Sequence, residues 1–147
     1  MGNEPFRIRA AREDDLATLS AYAYAEGMGD IEATDGVTVA ANEADEPVGF
    51  IRIVTDEGGV AHVNPVIVYP TWRGLNVGRA LMEDASARYG ELRLVSRGSS
   101  KPFYDALGFS PIGWEAIKPE IAAECDDCEL REECIPQPMT GTLRTSE

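Results

Sequence analysis

A chain of 147 residues with 44% hydrophobic content can bury one proper core and reads as a single domain. Its 26 acidic residues outnumber 13 basic ones, and the net charge of −13 excludes ordinary nucleic-acid and anionic-membrane binding. No apolar run approaches the ~20 residues needed to span a bilayer, and Met1 to Glu13 lacks the apolar stretch of a signal peptide, so the expected compartment is the cytoplasm.

Taken in order, Phe6 to Arg9 alternates apolar and polar residues and predicts a short strand. Asp14 or Asp15 caps a helix whose inner stripe is Leu16, Leu19, Tyr22 and Ala23, ended by Gly27 and Gly29. Met28 to Gly36 is a loop, or a loop with a short helix. Val37 to Ala41 and Val48 to Val54 form strands around an acidic hairpin turn, with a bulge at Gly49. Val60 to Val68 is a longer strand interrupted by Pro65. A helix whose apolar face is Val77, Ala80, Leu81 and Ala85 follows, stopped by Gly90; Leu92 to Val95 is a strand. Ser99 or Ser100 caps a short helix carrying Phe103, Tyr104 and Leu107, with Gly108 as its stop. Phe109 to Ile117 is the last predicted strand. Residues 1–118 therefore form the domain, and 119–147 a cysteine-containing tail. The order β-α-β-β-β-α-β-α-β implies a mixed α/β (α+β) sheet with helices on both faces.

The chain is organised around Val66 to Tyr89. An apolar strand, Val66-Ile67-Val68, runs into Pro70 and then a turn, Arg73-Gly74-Leu75-Asn76-Val77-Gly78-Arg79, that opens a helix. The first amides of a helix lack intrahelical acceptors and carry the positive end of its dipole. Gly74 and Gly78 permit close approach to the backbone, and Arg73 and Arg79 add forked cationic donors, an island of positive charge on an acidic chain. The stretch is therefore either a phosphate or pyrophosphate site or a solvated surface turn.

The acidic residues are scattered, as in Glu43/Asp45/Glu46 and Glu124/Asp126/Asp127. Scattered charge favours adaptation to high salt, a halophilic surface, over recognition of a basic substrate.

Two motifs in sequence carry a family resemblance. Val68-Tyr69-Pro70 followed by Arg73-x-x-Asn76-x-Gly78, and then Phe103-Tyr104-x-x-Leu107-Gly108-Phe109 about thirty residues on, resemble the GCN5-related N-acetyltransferase (GNAT) superfamily. Asn76 stands where that pattern has a second glycine; asparagine tolerates the left-handed conformation the turn needs. Arg97 to Ser100 lacks an asparagine found in many members. The resemblance implies a mostly antiparallel sheet with a splayed parallel pair ending at Val68 and Val95. It implies that acetyl-CoA is the cosubstrate, its pyrophosphate on the amides of Leu75 to Arg79 and its pantetheine arm along Val66, Ile67 and Val68. Tyr104 then protonates the leaving thiolate, as a phenol of reference pKa about 10 can at neutral pH. The acceptor would be a small-molecule or peptide amine, with a homodimer as an alternative to a monomer.

The general base is the open role. His62, the only histidine, lies on the strand leading to the cofactor turn; Glu57, Glu115 or a water chain are the alternatives. Cys125-x2-Cys128-x5-Cys134 has metal-like spacing and invites zinc or an iron–sulfur cluster, a fourth ligand being needed from elsewhere; three reduced thiols or a disulfide with one spare thiol are the bland readings. Two rival functions follow: an acyl-CoA-binding sensor without turnover, and a metal- or redox-responsive interaction protein acting through the tail.

Overall fold

The computed structural model describes residues 6–126 and 135–143, without the side chains of residues 99 and 124–126. Among these residues seven strands, β1 (Arg7–Ala10), β2 (Val37–Ala41), β3 (Pro47–Thr55), β4 (Ala61–Val68), β5 (Leu92–Ser96), β6 (Ser110–Pro111) and β7 (Gln137–Gly141), hydrogen-bond in the order β1-β2-β3-β4-β5-β7-β6. The helices are α1 (Leu16–Ala25), α2 (Val77–Tyr89), α3 (Lys101–Ala106) and α4 (Pro119–Asp126). The sheet is mixed: β1, β2 and β3 pair antiparallel, as do β5, β7 and β6, while β4 and β5 run parallel. That parallel ladder registers Ala61 with Leu92 and His62 with Arg93. The expected α/β class with a parallel pair is the one observed.

Two compact units divide the chain, Met1–Ile53 with Pro65–Asp84, and Val54–Asn64 with Ala85–Glu147. The core of the first is Leu19, Ala23, Ile31, Val37, Val39, Phe50 and Ile67, with Leu16, Tyr22 and Met28 packed against it. Leu19 and Ala23, four apart on α1, are wholly buried, as the helical stripe requires. Ile31 is held inside by a bond from its amide to Ser20 Oγ at 3.0 Å, which orders a loop whose composition carries no regular element.

Charge also shapes this unit. Arg9, on β1, places Nη1 2.8 Å from Asp15 Oδ2 and Nε 2.9 Å from Asp45 Oδ1. Arg7 and Arg12 converge on the same Asp45, at 2.6 and 2.5 Å. The acidic hairpin turn is thus tied to β1 and to the entry of α1. Of the two expected caps, Asp14 and Asp15, it is Asp15 that stands at the N-cap of α1, but it makes no side-chain cap bond there; its carboxylate accepts from the Arg12 amide at 2.8 Å, over a 3-10 turn at Glu13–Asp15.

The bulge between β2 and β3 is real but lies one residue from its expected place. Ala41 faces Pro47 and Ala40 faces Gly49, so Val48 is the extra residue. Gly49 has a different reason to be glycine: a Cβ there would stand 3.0 Å from Val77 Cγ1 and 3.1 Å from the Ile67 carbonyl. Pro65 does not interrupt β4, which runs unbroken from Ala61 to Val68.

In the second unit, β7 lies along the whole of β5, from Leu92↔Gly141 to Ser96↔Gln137. Met139 is fully buried, and the Leu143 amide donates to Ser86 Oγ at 3.1 Å. The sequence reading placed no strand here, because Gln137-Pro138-Met139-Thr140-Gly141 has a proline and little β-branching. Conversely, the strand expected over Phe109 to Ile117 shrinks to Ser110–Pro111, followed by a 3-10 turn at Trp114–Ala116. Pro111, the last residue of that strand, has no N–H with which to extend the ladder.

Candidate functional site

In the first unit, β4 ends at Val68, and Tyr69 turns the chain with its amide on the Val48 carbonyl at 2.8 Å. Pro70 fixes the start of a 3-10 turn, Pro70–Trp72. Gly74 and Asn76 then both adopt left-handed backbone, φ +84° and +65°. Asparagine at 76 therefore serves the role a glycine would. Left-handed residues ahead of a helix can turn amides toward one side, as in an anion nest.

The first helical bond of α2 runs from the Ala80 amide to the Asn76 carbonyl at 3.0 Å. The amides of Val77, Gly78 and Arg79 precede it and carry the positive end of the helix. Val77, 1% exposed, anchors this end in the core, whereas Arg73, Gly74, Leu75, Asn76 and Arg79 are open to solvent. The expected island of positive charge is modified. Arg73 Nη2 lies 3.2 Å from Glu26 Oε2, and its Nε donates to the Val68 carbonyl at 3.2 Å. Arg79 Nε lies 3.5 Å from Glu83 Oε2 in an i,i+4 pair. These carboxylates were not singled out from the sequence. The Arg79–Glu83 spacing could have been read as a helical ion pair; Glu26 is 47 residues from Arg73, and only the fold joins them.

The second unit holds Tyr104, on α3. It is 8% exposed, with the Phe103 ring edge-on at 5.0 Å and the Phe109 ring at 5.9 Å. Burial pushes its phenol up to about 12, against a lowering influence of Arg97. Gly108, at φ +89°, lets the chain reverse so that the Phe109 amide bonds the Tyr104 carbonyl at 3.0 Å. Phe109 in turn lies against Gly141, where an added Cβ would come within 2.7 Å of the ring. The Phe-Tyr motif is thus a helix end with two glycine contacts, and of its two leading rings Tyr104 is buried and Phe103 exposed. Ser100, expected as a cap, makes no side-chain cap bond; Gly98–Ser100 is a 3-10 turn leading into α3.

His62 is fully buried. Its Nε2 accepts the Lys118 amide at 3.0 Å and its Nδ1 stands 3.2 Å from the Val60 carbonyl. An accepting Nε2 requires the proton on Nδ1, so both ring nitrogens are engaged by backbone. Glu57, in the β3–β4 turn, and Glu115, in the 3-10 turn after β6, are exposed. Cys128, Cys134 and the side chain of Cys125 lie outside the described residues, and among those described no cluster of histidine, cysteine and carboxylate groups could hold a metal. A surface cleft of about 440 Å³ is lined by Asn42, Glu43, Ala44 and Trp72, none of them a predicted site residue.

Residues 8–123 match the family model described as an acetyltransferase (GNAT) domain. No curated protein is similar enough to the chain to count as a match. Among solved structures, Rv2747 from Mycobacterium tuberculosis, in complex with CoA and NLQ, superposes with a TM-score of 0.74 at 16% identity, over 93% of this chain and 99% of that one. N-acetylglutamate synthase from Neisseria gonorrhoeae, complexed with CoA and N-acetyl-glutamate, gives 0.73 at 13% identity; 95% of this chain is covered, but the chain spans only 35% of the synthase. Naa50 from Arabidopsis thaliana, bound to the bisubstrate analogue CoA-Ac-MVNAL, gives 0.63 at 15% identity, over 95% of this chain and 99% of that one. At such identities the likeness is one of fold.

Proposed function

The chain belongs to the GNAT acetyltransferases, and from that premise we propose that it moves an acetyl group from acetyl-CoA to a primary amine by direct attack. The observation that carries the reading is the paired left-handed backbone at Gly74 and Asn76 leading into the first amides of α2. That arrangement suits a diphosphate, which needs several N–H donors converging on one charge. Arg73 and Arg79 supply the remaining charge, and the backbone of Val66, Ile67 and Val68 pairs with the pantetheine arm.

The chemistry then needs few groups. The amine nitrogen attacks the thioester carbonyl, a backbone N–H on β4 steadies the oxyanion, and the C–S bond breaks to release CoA thiolate. Tyr104 donates its phenolic proton to that sulfur. A phenol pushed up to about 12 is fully protonated throughout the working range, so the acid is always loaded. His62 is not the base in this scheme, since backbone occupies both its nitrogens. The amine loses its proton to Glu57, Glu115 or a chain of water.

The acceptor in this reading is an α-amine, on a free amino acid or a peptide; a synthase of the same fold complexed with N-acetyl-glutamate and another enzyme of that fold bound to a peptide bisubstrate analogue support the choice. The test is a panel of amino acids, peptides and polyamines, with release of free CoA thiol followed at low and high salt. Turnover with one class of α-amine is expected. CoA binding with no thiol release from any amine would instead make the protein an acyl-CoA sensor, and no CoA binding at all would end the reading.

A further inference from the structure

We propose that Glu26 sets the affinity of the diphosphate site by competing with the ligand for Arg73, an inference that rests on the reading above. Glu26 is the residue at which α1 ends, its amide bonded back to the carbonyls of Ala23 and Tyr24. The last turn of α1 contains no basic residue of its own, and Arg73, from the turn before α2, brings a cation to the negative end of that helix, with Nη2 3.2 Å from Glu26 Oε2. The same guanidinium uses Nε on the Val68 carbonyl at 3.2 Å. Val68 is the last residue of β4 and belongs to the backbone run assigned to the pantetheine arm. The cation placed to neutralise a diphosphate is therefore held by two acceptors of the protein's own, and one of them borders the path of the ligand.

A guanidinium has a fixed number of forked donors. Each donor given to Glu26 is withheld from phosphate, so the carboxylate opposes binding instead of assisting it. The pair is partly solvated, with side chains 54% and 31% exposed, so the competition is modest. A pair of this kind corresponds to a change of about two- to fivefold in a dissociation constant. The consequence for turnover is that CoA, once deacylated, leaves a site that recaptures its own arginine.

The experiment is titration calorimetry of CoA, and of pantetheine as a probe without diphosphate, against wild type, Glu26→Gln, Arg73→Met and the double variant, at low and high salt. Thermal melting checks that each is folded. Glu26→Gln is expected to tighten CoA about threefold at low salt, with less gain at high salt. It should leave pantetheine unchanged and have no effect once Arg73 is methionine. Glu26→Gln that weakens CoA, or leaves it unchanged while Arg73→Met weakens it, overturns the competition and spares the diphosphate site. Wild type binding CoA no better than pantetheine overturns the diphosphate site itself, and this inference with it.

Discussion

The amide of Lys118 donates to Nε2 of His62 at 3.0 Å, a bond that favours a structural reading of the imidazole. It ties the strand β4 to the segment after the Trp114–Ala116 turn, and it puts the ring proton on Nδ1, facing the Val60 carbonyl. His62 is a crosslink between two stretches of backbone. Replacing it by leucine leaves a buried N–H and a C=O without their partner, at a cost of about 1–3 kcal/mol. Urea denaturation of His62→Leu should show that loss. The kcat per CoA-binding site should remain that of wild type, and a pH–rate profile that lost its acid limb would restore the ring as base.

Tyr104 makes the opposite prediction. Its phenol is protonated up to about 12, so it places no limb on the pH–rate profile of wild type between pH 6 and 10. Tyr104→Phe keeps the ring packing against Phe103 and Phe109 and removes only the proton donor. Loss of a general acid costs about 100-fold or more in kcat, with the dissociation constant of CoA nearly unchanged. Stopped-flow release of thiol, set against calorimetry of CoA binding, separates the two quantities. Full activity in the phenylalanine variant would reduce Tyr104 to a packing residue.

What was legible in the sequence follows from the range of the forces. The strand–turn–helix around Asn76 and the helix ending at Gly108 are local, set by backbone preference and by helical spacing, and both stand where the sequence put them. The strand Gln137–Gly141 was not legible, because its residues have weak strand preference and its place is secured by pairing with β5, some 45 residues earlier. Residues 109–117 show the reverse case, a β-like composition whose strand, among the described residues, pairs only at Ser110 and Pro111. At the candidate site, the donors could be read from glycine and arginine. Their resident partners, Glu26 above all, could not, since a contact 47 residues apart leaves no trace in a single sequence.

The Arg9 cluster predicts acid sensitivity. Desolvation works to raise the Asp15 carboxyl, but the bonds from Arg9 and the Arg12 amide outweigh it and the group titrates low. Asp45 is held at about 2, by Arg12 first, against desolvation, with Arg9 and Arg7 adding to it. Both carboxyls titrate lower in the folded chain than unfolded. Their stabilisation is therefore complete above the unfolded value of about 4 and is lost as pH falls toward 2. Thermal melts should decline across that window. Arg9→Met leaves Asp15, with a side chain 7% exposed, without its guanidinium, and should cost about 3–5 kcal/mol at neutral pH. The variant's melting temperature should also fall less on acidification than that of wild type, and parallel curves would refute the linkage.

Asn76 offers the most direct test of the helix start. At φ +65° any side chain with a Cβ is strained, asparagine less than most, so the turn is held in a conformation that glycine adopts freely. In Asn76→Gly the relief of strain and the greater freedom of the unfolded chain act in opposite directions, each by about 0.5–1 kcal/mol, and stability should hardly move. The amides of Val77 to Arg79 keep their direction, and CoA binds as before. Asn76→Val resists the left-handed conformation by about 1–2 kcal/mol. Valine either destabilises the fold by that amount or pulls residue 76 out of position and turns the amides aside. Denaturation curves give the first quantity and calorimetry with CoA the second. A valine variant that matched wild type in both would mean that the left-handed turn contributes nothing to the grip on diphosphate.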